Sequence, residues 1–278
     1  YRWYSFINMQ LKVAKSFSHI ITVSSFTRKD IAKEFALDEN RFRVVHNGIN
    51  NEFFYPKQNG PRPENSLIVT NSADTPLKGL RYLLEAVDQI RRKRPIKLTV
   101  IGQPKKDGII ENLVASLGLS DVVHFTGRIA NEEFADYYAH STMAVVPSLY
   151  EGFGIPAAEA MACGVPLVST SGGALPEVVG DAGIIVPPAD AKALAQAHCA
   201  ALRWRGRTNR RRGARVDPIT RMTRTVARAA VTIPSGTVRF STNSPKTAER
   251  SSSSGRTRQS MFNGCRYWRS SSANSGRL

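Results

Sequence analysis

At 278 residues the chain is long enough for about two domains, and it holds no apolar run approaching the roughly 20 residues of a membrane-crossing helix. Its net charge of +17 is concentrated at one end: residues 204–278 carry 17 Lys and Arg against 2 Asp and Glu, whereas residues 1–203 carry 22 against 20. Three cysteines, Cys163, Cys199 and Cys265, lack metal-ligand spacing and cannot all pair, which argues against a disulfide framework and fits a reducing, cytoplasmic setting.

Residues 1–57 alternate helix and strand. Trp3 to Phe17 reads as a one-faced helix and His19–Val23 as a β-branched strand. Ser24 or Ser25 is placed to cap a helix reaching about Phe35. Phe42–Val45 is a strand ending in the turn signal His46-Asn47-Gly48. These pieces are too few to close a core and read as the end of an α/β domain whose first strands are missing. A chain that opens at Tyr1 without a signal-peptide pattern fits that expectation. Residues 58–64, Gln-Asn-Gly-Pro-Arg-Pro-Glu, form a linker.

A second α/β unit spans 65–203. Strands are expected at Ser66–Thr70, Ile96–Ile101, Val122–Phe125, Met143–Val146, Pro166–Ser169 and Gly183–Val186. Helices are expected from Leu80 to about Lys93, Ile109 to Leu117, Glu132 to His140 with Asn131 as cap, 156 to 163, Pro176 to Val179, and from the cap Asp190 to about Leu202. Strands alternating with helices imply a mostly parallel sheet covered on both faces. After Arg203 the periodicity stops. Residues 204–278 are rich in Arg and Ser, with 16 of their 17 cations Arg, and are expected to be disordered. The abrupt change near Ala201–Trp204 fits translation of a GC-rich gene in a shifted frame.

The central stretch is Pro147–Gly164, PSLYEGFGIPAAEAMACG. A buried strand feeds a glycine-bearing loop. Pro156 suits a first helical turn and Gly164 suits the helix end. Glu151 stands at the strand exit and Glu159 about one turn into the helix, next to amides that attract an anion. Such a crevice suits a ligand carrying hydroxyls and phosphate. Lys78-Gly79 lies between a strand and a helix, a second position suited to phosphate. Arg128 reads equally as a ligand contact or a solvated loop residue, and Glu177 as a helix-start residue or a ligand contact. His46, His124 and His140 read as structural or exposed.

Glu151-Gly-Phe-Gly-Ile-Pro-Ala-Ala-Glu159 resembles the E-x7-E motif of retaining GT-B glycosyltransferases of family 4. His46-Asn-Gly-Ile-Asn50 is similar to the family's "PNGID", Lys78-Gly79 to its phosphate-binding Lys-Gly, Phe125-Thr-Gly127 to its "F-x-G", and Gly172–Glu177 to its "GGxPE" loop. The resemblance covers about residues 1–202. It implies two Rossmann-like domains, with residues 1–57 the end of the acceptor-side domain and 65–203 the nucleotide-sugar domain. It implies that Glu151 bonds sugar hydroxyls, that Gly152, Phe153, Gly154 and Ile155 offer amides to sugar and phosphate, that Glu159 holds both ribose hydroxyls, and that Lys78 neutralises the departing diphosphate. No protein nucleophile, metal or resident cofactor is expected.

The family places an Arg five or six residues before the lysine, where this chain has Ala73 and Ser72; Arg81 and Arg128 are the candidate substitutes. The expected activity is transfer of a hexosyl group, with retention, from a UDP-, GDP- or ADP-linked sugar to a glycan, lipid or small acceptor. The expected location is cytoplasmic with peripheral membrane contact, and no nucleic-acid partner is expected. Without the first part of the acceptor-side domain, the chain is expected to be inactive alone. The competing readings are a non-catalytic nucleotide-sugar-binding protein and a basic nucleic-acid-binding protein acting through its tail.

Overall fold

The computed structural model describes residues 2–57, 62–71 and 75–210, with side chains from Ile7 to Ala201. They belong to one compact unit. The expected tail beyond Arg210, the linker residues 58–61 and the Ser72–Asp74 turn lie outside the described residues.

The N-terminal segment contains α1 (Arg2–Ser16), β1 (Ile20–Thr22), α2 (Ser25–Phe35) and β2 (Phe42–Val44), with β1 and β2 paired in parallel. Ser24 is the cap of α2: its hydroxyl accepts from the Thr27 amide at 3.0 Å. Two strands cannot bury both faces, and Ile21 and Val45 stay exposed.

The larger sheet contains β3 (Ser66–Thr70), β4 (Lys97–Ile101), β5 (Val123–Phe125), β6 (Met143–Val146), β7 (Leu167–Thr170) and β8 (Ile184–Val186). Their spatial order is β5-β4-β3-β6-β7-β8, all parallel. The intervening helices are α3 (Leu80–Arg91), α4 (Ile109–Ser116), α5 (Phe134–Ala139), α6 (Ile155–Ala162), α7 (Leu175–Val179) and α8 (Ala191–Arg210). The central strand β6, Met-Ala-Val-Val, is apolar and buried throughout because both of its faces are covered.

Alternation along each strand sorts the core into two layers. Leu67, Val69, Leu98, Val100, Met143 and Val145 pack with Leu83, Leu84 and Val87 of α3 and with α8. Ile68, Ile101, Ala144 and Val146 pack with Tyr138 of α5, Met161 of α6 and Leu175 of α7. In α3 the apolar positions 80, 83, 84, 87 and 90 recur at helical spacing and are all buried.

Two local expectations are corrected. Asn131 does not cap α5; it opens a 3-10 turn, and the side chain of Glu133 accepts from the Ala130 amide at 2.7 Å instead. The last helix does not stop near Leu202; its backbone continues to Arg210. Arginine is a good helix former, and extending a formed helix costs far less than nucleating one. The end of the linker is also anchored: Arg62 donates to the carbonyls of Tyr138 and Ser141 at 3.0 Å and of Gly164 at 3.1 Å, around the C-termini of α5 and α6.

Within α8, His198 is buried, and neither ring nitrogen has a hydrogen-bond partner among the described residues. Burial, aided by the positive charge of Arg94, pushes its pKa down to about 4. Above its unfolded value both states are neutral. As pH falls from there to about 4, the unfolded chain takes up a proton that the folded chain resists, so stability is lost. The expected loss is about 1.4 kcal/mol per pH unit across that window. Urea unfolding of the wild type and His198→Leu at pH 7 and pH 5 checks this; the variant should show the smaller difference.

Candidate functional site

The sheet reverses its order of addition at β3. Strand β4 was laid on one side of it and β6 on the other. The loops leaving the carboxyl ends of β3 and β6 therefore diverge from a common crevice, the usual ligand position in open α/β sheets. The first loop carries Lys78, at the end of a 3-10 turn spanning Pro76–Lys78. The second carries Glu151 and runs into α6. The two are knitted together: the Leu149 amide donates to the Leu77 carbonyl at 2.7 Å.

Lys78 and Glu151, which are 73 residues apart in sequence, meet in an ion pair with Nζ to Oε1 at 2.8 Å. The Ser148 hydroxyl donates to the same oxygen at 2.8 Å. The side chains are 29% and 11% exposed respectively, so the pair sits at the floor of the crevice with its lysine the more open partner. Among the described residues, the amides of Gly152, Phe153, Gly154 and Ile155 have no hydrogen-bond acceptor. They form the unspent positive end of α6.

Glycines let three loops crowd this point. Gly79 has φ +67°, and a Cβ there would stand 2.0 Å from the Pro147 carbonyl oxygen. Gly173 has φ +66°, and a Cβ there would stand 2.3 Å from the carbonyl oxygen of Glu151. The Ala174 amide donates to that same carbonyl at 2.8 Å, and the Thr170 hydroxyl donates to the Ser148 carbonyl. The loop after β7 is thus a rear wall for Glu151.

Glu159 lies one turn into α6 and is only 5% exposed. Burial raises the pKa of the Tyr138 hydroxyl and pushes the Cys163 thiol up to about 12, and in both cases the Glu159 carboxylate adds to the rise. Tyr138 in turn lies 3.3 Å from the hydroxyl of Thr70 at the end of β3. Glu159 is therefore a buried carboxyl group on the α5 side of the crevice, deeper than Glu151.

Arg128 follows Gly127 at the exit of the edge strand β5. Arg81 is committed elsewhere, to an exposed ion pair with Glu85 at 2.9 Å along α3. Glu177 lies in the first turn of α7, as the helix-start reading expects, and its carboxylate also caps α2, accepting from the amides of Ser25 at 2.9 Å and Phe26 at 3.0 Å. Spacing along the chain offers no signal for a partner some 150 residues away. His46 places Nε2 3.9 Å from Glu177 and Nδ1 3.2 Å from the Val23 carbonyl. Among the described residues no cluster of three His, Cys, Asp or Glu could hold a metal ion, and no helix is long and apolar enough to cross a membrane.

A family profile described as "Glycosyl transferases group 1" matches residues 64–203, the part that holds Lys78, Glu151 and Glu159. The chain belongs to that glycosyltransferase family. Among its relatives is a protein of Mycolicibacterium hassiacum named "MMP alpha-(1->4)-mannosyltransferase", 43% identical over 192 residues, which cover 68% of this chain and 46% of the relative. The chain thus spans about half the length of that relative.

Among solved structures, the sucrose-phosphate synthase of Thermosynechococcus elongatus aligns with TM-score 0.62 and 28% identity, over 80% of this chain and 57% of that one. Anabaena HepE in complex with UDP-glucose aligns with TM-score 0.65 and 20% identity, over 80% and 62%, and shares the fold. The α/β, GT-B type architecture expected from the sequence is that of these structures.

The glycine contacts make a stability prediction. Gly173→Ala forces a left-handed alanine, costing about 1–2 kcal/mol, and also drives its Cβ into the Glu151 backbone. It should therefore destabilise by more than that. Gly48→Ala, with nothing within 4 Å of the added carbon, should fall within about 0.5 kcal/mol of wild type. Denaturant unfolding of both variants measures the contrast.

Proposed function

We propose that residues 64–203 bind a nucleotide-diphosphate sugar and serve a retaining transfer of its hexosyl group to a glycan, lipid or small acceptor. The observation that carries this reading is the Lys78–Glu151 pair at the crevice between β3 and β6, beside the unspent amides of residues 152–155.

In this reading the diphosphate takes the place of Glu151 as the partner of Lys78. Glu151, released from the lysine but still held by Ser148, turns its oxygens to the sugar hydroxyls. The helix-start amides take the phosphate and sugar oxygens. Glu159, the deeper carboxylate, accepts both hydroxyls of the ribose. As the anomeric carbon–oxygen bond breaks, negative charge gathers on the departing diphosphate. Lys78 and the α6 amides stabilise that charge where it develops, which is where a fixed donor lowers the barrier most. Arg128 is the candidate second cation. The reading assigns the reaction to the cytoplasm, with peripheral membrane contact, and gives it no resident cofactor or metal.

The names of the similar proteins support this choice of donor class. One is called a mannosyltransferase, and one fold neighbour was solved with UDP-glucose. The test is binding of labelled GDP-mannose, UDP-glucose and ADP-glucose by the full chain, and their turnover when the first part of an acceptor-side domain is supplied with it. One of these sugars should bind. Lys78→Ala should lower turnover by roughly 10²–10³-fold. Glu159→Ala should weaken donor binding at least about tenfold, as expected for losing charge-assisted hydrogen bonds. Failure to bind any nucleotide sugar, or an unaffected Lys78→Ala, contradicts the reading.

A further inference from the structure

The crevice loops are also held from the side of the N-terminal segment. The carbonyl of Gly152, next to Glu151, faces two hydroxyls at the start of α2: Ser24 Oγ at 2.7 Å and Thr27 Oγ1 at 2.8 Å. Tyr150, on the other side of Glu151, donates to Asp30 of α2 and stands edge-on to Phe26, with ring centroids 5.8 Å apart. The Glu151 loop therefore lies between α2 in front and the Gly172–Gly173 turn behind.

One side chain ties those two supports together. Glu177 sits on α7, three residues beyond Ala174, whose amide grips the Glu151 carbonyl. Both oxygens of its carboxylate are taken by the first amides of α2, so it supplies the negative charge that a helix N-terminus favours. Burial acts to raise its pKa, but the hydrogen bonds from Ser25 and Phe26 outweigh that and hold it below the ordinary value.

We propose that Glu177 is a positioning residue for Glu151: by capping α2 it closes a clamp of α2 and the Gly172–Ala174 turn around residues 150–152, and so fixes the backbone from which the Glu151 carboxylate enters the crevice. The inference rests on the donor-site reading for its consequence, since a displaced Glu151 matters to the sugar and not to the nucleotide. Loss of Glu177 should leave the phosphate-binding amides and Lys78 in place. It should weaken only the contacts that need Glu151 held still.

The test uses the full chain as wild type, Glu177→Ala and Glu177→Gln, with two readouts. The first needs no ligand. Amide hydrogen exchange should speed up in Glu177→Ala at Ser25 and Phe26 and also at Leu149 and Ala174, whose bonded amides hold the Glu151 loop, while β3 and β4 keep their protection. The second compares UDP with UDP-glucose and GDP with GDP-mannose by calorimetry. In Glu177→Ala the nucleotide sugar should lose about tenfold in affinity, equivalent to about 1.4 kcal/mol, while the nucleoside diphosphate stays within about twofold of wild type. Glu177→Gln keeps one acceptor oxygen and should recover part of the loss, which a nonspecific loss of stability would not produce.

Faster exchange confined to Ser25 and Phe26, or an equal loss for nucleotide and nucleotide sugar, overturns the proposal. If the wild type binds no nucleotide at all, the donor-site reading falls instead, and the exchange pattern alone decides whether Glu177 holds the loop.

Discussion

A lysine and a glutamate from two different loops are brought into contact at 2.8 Å, at the one place where the strand order of the sheet reverses. Much of the surrounding structure makes that contact geometrically available. Central strands β3 and β6 must be adjacent and parallel, so their carboxyl ends emerge side by side. The loops must then approach within hydrogen-bonding distance, which requires glycine where backbone meets backbone at residues 79 and 173. Two partly buried charges at such a point cost desolvation, and their mutual attraction repays it only in good geometry. A pair of this kind is better suited to exchange for an anionic ligand than to holding a fold together.

The electrostatics of the crevice are graded. Lys78 and the α6 amides form an outer positive zone. Glu151 borders it, and Glu159 lies deeper, where its charge is felt by Tyr138 and Cys163. A ligand with an anionic centre between two hydroxyl-bearing ends fits this sequence of charges, whereas a nucleic-acid backbone, anionic throughout, would meet two carboxylates. Within the crevice, this charge distribution suits a sugar nucleotide better than a polyanion.

Much of this was legible in the sequence, for physical reasons that also explain the gaps. Buried parallel strands are short apolar runs, so β3, β4, β6 and β7 stood out, and the 3.6-residue period of α3 marked its buried face. Lys78, Glu151 and Glu159 were legible because each sits at a fixed step from a strand end or a helix start. Long-range capping leaves no such trace. Nothing near Glu177 announces that it closes the N-terminus of α2, and nothing near Gly152 announces two hydroxyls from residues 24 and 27. Asn131 looked like a cap because Asn is favoured there, but a glutamate returning to the Ala130 amide took that role. The continuation of α8 to Arg210 was missed because a helix rich in Arg shows no apolar period, although its backbone preference is helical.

The most direct measurement is a crystal structure of the full chain with a nucleoside diphosphate, UDP or GDP, soaked or grown in. The account predicts the diphosphate between Lys78 and the amides of residues 152–155, with the Lys78–Glu151 contact opened and the ribose against Glu159. A nucleotide bound elsewhere, or bound while Lys78 and Glu151 remain paired at 2.8 Å, would contradict it.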